Sequence, residues 1–461
     1  MNKYSKQIGL FLGILVFLVL KFANLPGEIS TQGQTCLALT LMVVIWWAFQ
    51  ITQSGFTSGI YLALLAIMGV AEPTTIFSAW TGSTMYLVIG AYLIADAVKA
   101  SGLGERIAYN IIIKFVTNFK SVIVCVFAIT FILSLLIPHP WPRAFLIMAV
   151  MKVLIDSARI PREDAVKIGF TVFAASVPVS LIFLTGDAVI NPLAVANAGV
   201  ELSWLGWFKM MGIPSVVCSI LTMLLILILF KPSQEISVDK NAMQEKLQAM
   251  GKLSEKEIRT AIWLVIAIVL WLTDSIHGIN IGWITLTIPM LMSLPVVGNV
   301  LTVKSWSTVP VHVLVFLTAA MAIGRVGGVT GMNTWIANVL MPSNMPSNIF
   351  VLAAMITLIA IVIHMLLGSV IAVMGVAIPA ILASTASMGL NPLVPTFLIY
   401  MAIAAHYILP FQHLNMLVGS GDEDGMYGQK ETIRLGIPLI AVVFIVNVVI
   451  MVPWFKIIGL I

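Results

Sequence analysis

The chain of 461 residues is 60% hydrophobic and only 9% charged, with a formal net charge of +5 at pH 7. Soluble domains carry about 25% charged residues, so this composition excludes an ordinary soluble fold. The basic residues are dispersed over many short segments, which argues against nucleic-acid binding and favours orientation in a membrane. The three cysteines lie in apolar runs without metal-ligand or redox spacing and are expected to be buried.

Apolar runs long enough to cross a bilayer as helices recur along the whole chain. The first, Ile8 to Leu20, lacks a small-residue cleavage pattern and is expected to be a retained span. With Lys3 and Lys6 in the cytoplasm, nearly every Lys and Arg falls inside and the C-terminus lies outside. The predicted spans are about 8–25, 35–51, 56–72, 83–99, 168–190, 207–230, 260–275, 281–297, 311–327, 392–415 and 435–454.

Two pairs of neighbouring apolar runs are not predicted to be ordinary membrane-crossing helices. The first, Ser121 to Val150, has strongly basic flanks on both sides and is interrupted by Pro138-His139-Pro140-Trp141-Pro142-Arg143. Three prolines in five residues make a continuous helix there very unfavourable. We expect a re-entrant hairpin that enters and leaves from the cytoplasm, in contact with protein or with a water-filled cavity.

The second pair, 347–366 and 370–386, has uncharged flanks and joins at Leu367-Gly368-Ser369. It predicts a second re-entrant hairpin, which enters from outside. Each hairpin follows a loosely repeated segment, Gly90–Ala108 or Thr318–Ala337. An interrupted span then follows each hairpin.

The two halves therefore predict an inverted repeat, because their orientations are opposite by charge. The interrupted spans contain Thr185-Gly186-Asp187-Ala188-Val189-Ile190-Asn191-Pro192 and Pro410-Phe411-Gln412-His413-Leu414-Asn415. Inverted repeats with paired broken helices are typical of secondary transporters, whose binding site lies between the repeats.

At this point the chain resembles a known family, the divalent anion:sodium symporters (DASS) of di- and tricarboxylates and sulfate. The resemblance covers nearly the whole chain. It rests on Ala100-Ser-Gly-Leu-Gly-Glu-Arg-Ile-Ala108, on Met250-Gly-Lys-Leu-Ser-Glu-Lys-Glu257 before an apolar span with a late Trp271, on Leu409-Pro410, Asn415 and Gly419-Ser420-Gly421, and on Glu431-Thr-Ile-Arg-Leu-Gly436.

The chain departs from the family at the tips of the hairpins. The family has Ser-Asn-Thr at each tip, whereas this chain has Pro138-His139-Pro140 and Ser369-Val370-Ile371. The first broken span has Asp187-Ala188-Val189-Ile190-Asn191 in place of Thr-Pro-Pro-Asn. These positions build the anion and sodium sites of the family, so a dicarboxylate and sodium follow less directly here.

The resemblance implies an elevator-type all-α protein with a scaffold and a transport domain. The scaffold would comprise 1–115 and 260–340, the transport domain 116–231 and 341–461, and 232–259 would be a cytoplasmic loop. It also implies a homodimer in the cell inner membrane, with a small anionic substrate, the lipid bilayer as its other partner and no cofactor. The coupling ion would be sodium or a proton.

Candidate site residues come from the tips and the broken spans. Expected substrate-binding residues are His139, Pro140, Trp141, Arg143, Asn191, Ser369, Val370, His413 and Asn415. Expected ion-coupling residues are Thr185, Gly186, Asp187, Ser369, Pro410 and Gln412, with sodium near Gly186 and Asp187.

Two charged residues at membrane depth leave alternatives open. Arg143 suits a carboxylate as a two-pronged donor, or it forms an internal pair with Asp187. Asp187 ligates a cation, carries a proton or neutralises Arg143. His139, His406 and His413 cluster only if the first tip meets the second broken span, where each is a proton carrier, an anion donor or a packing residue.

The predicted function is secondary active transport, by symport or exchange, of a small carboxylate-type or other divalent anion. The main alternative is the same fold with proton coupling or no sodium dependence. A channel would need a continuous pore through the hairpins, and an intramembrane aspartyl enzyme would need a second catalytic Asp beside Asp187. Both are less favoured, and no enzymatic activity is expected.

Overall fold

The structure is a computed structural model that describes residues 3–233, 241–340, 345–409, 412–421 and 423–461. Across these ranges the chain is helical, and its only β-type pairing is an isolated bridge between Ser420 and Tyr427. The α-helices are α1 (Lys3–Phe22), α2 (Thr31–Ala48), α3 (Ser54–Ile67), α4 (Pro73–Ile76), α5 (Thr84–Ser101), α6 (Leu103–Phe115), α7 (Phe119–Leu136), α8 (Pro140–Ser157), α9 (Arg162–Val179), α10 (Ile190–Asn197), α11 (Trp204–Trp207), α12 (Ile213–Leu229), α13 (Asn241–Ala249), α14 (Glu255–Leu272), α15 (Asp274–His277), α16 (Ile281–Ser293), α17 (Val311–Val329), α18 (Met332–Leu340), α19 (Ile349–Leu367), α20 (Val370–Thr385), α21 (Leu393–Ala404), α22 (Leu414–Val418), α23 (Gln429–Ile445) and α24 (Val452–Ile457).

Eight helical segments are long and apolar enough to cross a membrane, judged by length and composition over the described residues. They are Tyr4–Phe22, Thr84–Ser101, Phe119–Leu136, Trp204–Leu229, Val311–Val329, Ile349–Leu367, Val370–Met388 and Gln429–Ile457. Turns of π-helix join α11 to α12 and α23 to α24 within the two longest segments. The result agrees with the predicted all-α polytopic membrane protein, while the count of about 11 spans stays a prediction.

The N-terminal helix α1 lies at the periphery of the bundle. Phe11 and Leu15 on its surface are exposed, as an apolar face turned to lipid would be. The helix packs on α2 where glycines permit close approach, since a Cβ at Gly13 would lie 2.7 Å from Cδ1 of Trp46. In the interior of the bundle, α2 packs on α3, α3 packs on α17, and α5 packs on α16.

The first helix pair is broken where the prolines predict. Helix α7 ends at Leu136 and α8 begins at Pro140, the first helical position, where a missing N–H is not needed. The following span is also broken. Helix α9 ends at Val179, a 3₁₀ turn covers Leu184–Asp187, and α10 begins at Ile190.

The second helix pair has a different kind of break. Helix α19 ends at Leu367, Gly368 follows with a left-handed φ of 61°, and Ser369 caps α20. Downstream, α21 ends at Ala404 and α22 begins at Leu414. The order of helix pair, broken span and long helix thus occurs in both halves, and their inverted relation stays a prediction.

A buried ion pair fastens the loop before α14 to α6. Arg106 Nε lies 2.6 Å from Glu257 Oε1, and the guanidinium also donates to the carbonyls of Met250 and Gly251. The hydrogen bond from Arg106 lowers the pKa of the Glu257 carboxyl below its ordinary value. Two of the segments that carry the family resemblance, 100–108 and 250–257, are therefore in direct contact.

Candidate functional site

The two tips and the two broken spans meet around one cavity of about 380 Å³. Eight predicted site residues line it: His139, Trp141, Asp187, Ser369, Val370, Gln412, His413 and Asn415. Trp47 and Phe316 close another wall from α2 and α17, and Lys6 and Gln53 also line the cavity. Lys6 and Gln53 lie on segments that the charge pattern predicts to be cytoplasmic, so the cavity belongs to the predicted cytoplasmic side.

The other predicted site residues that the structure describes lie outside the cavity lining. Pro140, Arg143, Thr185, Gly186 and Asn191 belong to the elements that form its walls and do not line it. Pro410 lies outside the described residues. The structure does not test the predicted binding or coupling role of any of these side chains, which therefore stay predictions.

At the first tip, His139 connects three elements. Its Nε2 lies 2.8 Å from the hydroxyl of Tyr92 on α5, and its Nδ1 accepts the backbone N–H of Trp141 at 3.3 Å. A nitrogen that accepts carries no proton, so this geometry requires a neutral imidazole with its proton on Nε2. The indole of Trp141 then donates to Oδ1 of Asn415 at 2.9 Å, which joins the first tip to the second broken span.

The Arg143 side chain is completely buried and turned toward the first broken span. Nη1 donates to the carbonyls of Ile137 at 3.1 Å and Gly186 at 3.2 Å, and Nη2 donates to Oγ of Ser180 at 2.7 Å. These bonds hold the tip against the break. Substrate contact by Arg143 stays a prediction, and its guanidinium already has three partners.

Asp187 faces the cavity and caps the helix that follows it. Its Oδ1 accepts the N–H groups of Val189 at 3.0 Å and Ile190 at 3.2 Å. No ion pair joins Asp187 to Arg143, although both side chains are described. The carboxylate therefore occupies the start of α10, where the helix dipole favours negative charge.

Asn191, which does not line the cavity, stabilises the first broken span through hydrogen bonds to its backbone. Asn191 Nδ2 donates to the carbonyls of Ser180 and Phe183, each at 2.8 Å, and its Oδ1 accepts the hydroxyl of Tyr400. At Gly186 a Cβ would lie 2.5 Å from the Ser180 carbonyl oxygen, so only glycine fits. Asn191 thus ties the unwound backbone together.

In the second broken span, side chains of the span itself accept the backbone N–H groups at the break. Gln412 Oε1 accepts the N–H groups of Ile408 at 2.7 Å and Leu409 at 2.8 Å. His413 Nε2 lies 3.1 Å from the Ala404 carbonyl, and its Nδ1 accepts the N–H of Asn415 at 3.3 Å. The first tip and this break therefore bring His139 and His413 to the same cavity, whereas His406, the third histidine of the predicted cluster, does not line it.

A metal site is not evident in the described ranges, where no group of three or more His, Cys, Asp or Glu could hold an ion. A sodium ion can be bound by carbonyl oxygens without a group of three charged ligands, so the predicted sodium position near Gly186 is judged from its carbonyl. The Gly186 carbonyl accepts a hydrogen bond from Arg143, and a cation there would face the guanidinium. These residues fit a sodium ion at Gly186 poorly.

A second cavity of about 630 Å³ is lined by residues from predicted external segments. Arg325, Glu201 and Asn280 contribute to its walls. Helices α10 and α20 line both cavities, at Ile190 and Ile371 in the first and at Pro192 and Pro379 in the second. These two helices therefore separate a cavity on each predicted side of the membrane.

Sequence reasoning missed several residues of this region. Tyr92, Trp47 and Phe316 come from helices without a break, and the loose repeat that contains Tyr92 does not mark it as a site residue. Ser180 and Tyr400 lie in apolar segments, and only the folded chain brings them to Arg143 and Asn191. No signal in the sequence distinguishes these side chains from ordinary core residues.

Comparison with known proteins adds an independent finding. The sequence profile of a family described as the sodium:sulfate symporter transmembrane region matches residues 4–461. A membrane protein of Cupriavidus necator is 21% identical over 95% of this chain and 90% of its own length. A putative malate transporter of Bacillus subtilis is 25% identical over 73% of each chain. A sodium-dependent dicarboxylate transporter of Staphylococcus aureus is 20% identical over 96% of this chain and 91% of its own length.

Proposed function

The chain belongs to the sodium:sulfate symporter family, the DASS family, and from this membership we propose that it is a secondary active transporter of a small carboxylate-type anion. The predicted family is thereby confirmed, and with it an anion transporter rather than an enzyme. The substrate, the coupling ion and the mechanism are our proposals. The related proteins named as malate and dicarboxylate transporters support a carboxylate, although their substrates are their own.

One observation carries the proposed mechanism. The cavity between the tips and the breaks lies on one predicted side, and a second cavity lies on the other, with α10 and α20 between them. Movement of α10 and α20 with their hairpins relative to α2, α5 and α17 would expose the same site to the second cavity. We therefore propose an elevator mechanism of alternating access, with Lys6 attracting anions on the cytoplasmic side.

The residues at the predicted sodium site bear on the identity of the coupling ion. The Gly186 carbonyl already bonds to Arg143, and neither tip has the Ser-Asn-Thr triplet of the family. This observation favours our second candidate, transport coupled to protons or independent of sodium. Asp187 and His139, which line the cavity, are the side chains that could exchange a proton during transport.

Uptake by proteoliposomes tests both candidates. The purified protein is reconstituted, and uptake of labelled malate and of labelled monocarboxylates is measured with sodium or with choline, at several pH values. We expect uptake that responds to pH and depends weakly on sodium. Steep sodium dependence with a flat profile between about pH 5.5 and 8 would reject proton coupling and retain the symporter. Absence of uptake of every carboxylate would reject the proposed function.

The proposed topology has its own test. Single cysteines at Lys120 and Asp156, both exposed, flank the first helix pair, and the three natural cysteines are buried. In inside-out and right-side-out vesicles, both should react with an impermeant maleimide only from the cytoplasmic side. Reaction of either from the external side would contradict the re-entrant hairpin. Cross-linking in membranes tests the proposed homodimer.

A further inference from the structure

The first cavity has two walls, which belong to different predicted domains. The transport wall consists of the tips and the broken spans. The scaffold wall consists of Trp47 of α2, Phe316 of α17, Lys6 of α1 and the polar residues between α2 and α3. An anion in the cavity can bond to both walls if each of them presents hydrogen-bond donors that the fold itself does not use.

The transport wall presents several such donors. The N–H groups of Val370 and Ile371, where α20 begins, and of Leu414 bond to no group in the parts of the chain that the structure describes. Asn415 is 3% exposed, and because the indole of Trp141 can only donate, the amide oxygen faces that indole. The amide nitrogen Nδ2 is left without a partner. These groups can hold one anionic end of a ligand.

Across the cavity, Trp47 presents a buried donor on the scaffold wall. Its side chain is 6% exposed, and Nε1 has no hydrogen-bond partner among the described residues. The ring packs edge-on against Phe316, with 4.8 Å between the ring centroids. An indole N–H can only donate, and a buried donor without a partner is costly. Nε1 of Trp47 therefore calls for an acceptor oxygen.

A polar connection follows Trp47 in the chain. Four of its residues line the cavity: Gln50, Thr52, Gln53 and Ser54. Their side chains form no hydrogen bond with any other residue that the structure describes. Lys6 is the only Lys or Arg among the described lining residues and has no ion pair there, whereas the carboxylate of Asp187 lies on the transport wall. The scaffold wall is therefore the side that favours a negative group.

Close packing holds the scaffold wall in place. A Cβ at Gly9 would overlap Cβ of Phe49, so the beginning of α1, which carries Lys6, lies against the end of α2. A Cβ at Gly55 would lie 2.7 Å from Cβ of His312, so the beginning of α3 lies against α17. Because both ends of the polar connection are fixed in this way, a ligand has little to order when it binds.

We infer that the predicted scaffold supplies a second half of the anion site, in which Trp47 Nε1 donates to the end of the anion that points away from α20. Lys6 and the polar connection attract and hydrogen-bond the same end. This inference rests on the proposed function and adds binding residues outside the hairpins and the broken spans. An anion held by both walls must also leave Trp47 before α10 and α20 can move.

The first test compares glutarate, which has acceptor oxygens at both ends, with valerate, which has the same number of carbons and a methyl group at one end. Binding to the purified full-length protein is measured by titration calorimetry. We expect glutarate to bind about tenfold more tightly. Valerate binding as tightly as glutarate, or failure of both acids to bind, would overturn the inference. Uptake of malate and of monocarboxylates by proteoliposomes decides separately whether the proposed function stands.

The variant Trp47→Phe tests the donor itself. It keeps an aromatic ring against Phe316 and removes the N–H, so glutarate should bind about tenfold more weakly and valerate as in the wild type. For glutarate presented at the cytoplasmic face of inside-out vesicles, KM should rise without a fall in Vmax, because the contact is lost before the movement.

The matched control is Trp46→Phe, which removes an indole bond to the Leu10 carbonyl at 3.3 Å outside the cavity. This control should keep the wild-type glutarate affinity. Equal glutarate affinity in Trp47→Phe and in the wild type would overturn the inference and leave Trp47 as a packing residue against Phe316.

A variant at an exposed position covers the case in which Trp47→Phe does not fold. Lys6 is exposed, and Lys6→Gln should bind glutarate about threefold more weakly and with less dependence on salt, because a screened attraction is lost. The matched control is Lys120→Gln, at an exposed lysine that does not line the cavity. It should bind glutarate as the wild type does. Wild-type affinity and salt dependence in Lys6→Gln would reject the scaffold half of the site.

Discussion

The tips of the two helix pairs occupy corresponding places in the chain but differ in how they are held. The first tip has bonds to other elements, from His139 to Tyr92, from Trp141 to Asn415 and from Arg143 to the first broken span. The second tip has a cap from its own Ser369. Corresponding elements therefore need not provide equal ligand sites, because one tip can be satisfied by protein groups while the other stays open to a ligand.

The difference has a cause in composition. Three prolines at the first tip remove backbone donors, and the tip is held by bonds from other groups, from Arg143 to the Ile137 carbonyl and from the N–H of Ala188 to the Pro138 carbonyl. At the second tip, Gly368 turns the chain without removing donors, and no charged residue follows within α20. The first tip thus gains rigidity at the expense of ligand donors.

The largest expected effect comes from removing Arg143. Arg143→Ala would leave the carbonyls of Ile137 and Gly186 buried without their donor, at a cost of several kcal/mol in the free energy of unfolding. We expect little folded protein by size-exclusion chromatography. The control Arg434→Ala, at an exposed side chain over the ring of Phe230, should fold normally.

Further variants of Arg143 separate its structural role from substrate binding. Arg143→Lys should also be strongly destabilised, because one ammonium cannot reach acceptors in three directions. If Arg143 instead bound the substrate, Arg143→Lys would fold well and lose only affinity. If it merely balanced Asp187, Arg143→Gln combined with Asp187→Asn would restore folding and transport, an outcome that would contradict the bonding role assigned here.

A second prediction concerns the bond that joins the two halves. Trp141→Phe removes the donor to Asn415 Oδ1, so the buried amide loses its partner and its fixed orientation. We expect a loss of about 1–3 kcal/mol in stability and about a tenfold weaker affinity for a carboxylate. Calorimetry and thermal unfolding measure the two effects.

The matched control is Trp454→Phe, which removes an indole bond to the Lys209 carbonyl outside the cavity. This variant should keep the wild-type affinity. Equal affinity of Trp141→Phe and wild type would mean that the Asn415 amide does not contact the ligand.

The sequence was sufficient for the order of elements and for where the helices break. Pro138, Pro140 and Pro142 predict the first break, and Gly368 predicts the second, because proline and glycine restrict or permit specific backbone angles. The apolar runs predict the spans, because a bilayer fixes their length. Motifs in several separate segments were enough to identify the family.

The direction of each side chain was not predictable. The sequence places Arg143 at membrane depth but does not tell whether its guanidinium points into the cavity or into the first broken span. That choice depends on Ser180, which lies 37 residues away and has no distinguishing pattern. Long-range packing also brings Tyr92 and Trp47 to the site, and periodicity in one segment carries no information about it.

A third prediction tests the openness of the second tip. In Ser369→Ala the cap of α20 is lost, and with it the hydroxyl proton that could be donated to a carboxylate, since Oγ itself accepts from Ala372. We expect about 1 kcal/mol lower stability and a weaker carboxylate affinity. Ser203→Ala removes a comparable cap at Gly206 outside the cavity and should lower stability alone. If Ser369→Ala keeps the wild-type affinity, as the Ser203→Ala control should, a carboxylate does not bind at the start of α20.

The smallest expected effect concerns the bond between Tyr92 and His139, which joins the predicted scaffold to the predicted transport domain. If the transport domain slides, this bond exists only while the site lies toward the cytoplasmic side. Tyr92→Phe would then weaken that state by about 1 kcal/mol and shift the equilibrium about fivefold toward the other state.

The shift is measured by the reaction of a cysteine at Leu417, which lines the first cavity, with a maleimide added from the cytoplasmic side. We expect slower labelling when Tyr92→Phe is combined with this cysteine. Tyr86→Phe is the matched control, because Tyr86 lies on the same helix and donates to the Trp80 carbonyl at 3.2 Å within the predicted scaffold. Equal labelling in both variants would mean that α5 and the first tip move together, and the boundary between scaffold and transport domain would then lie after the first helix pair and not at residue 115.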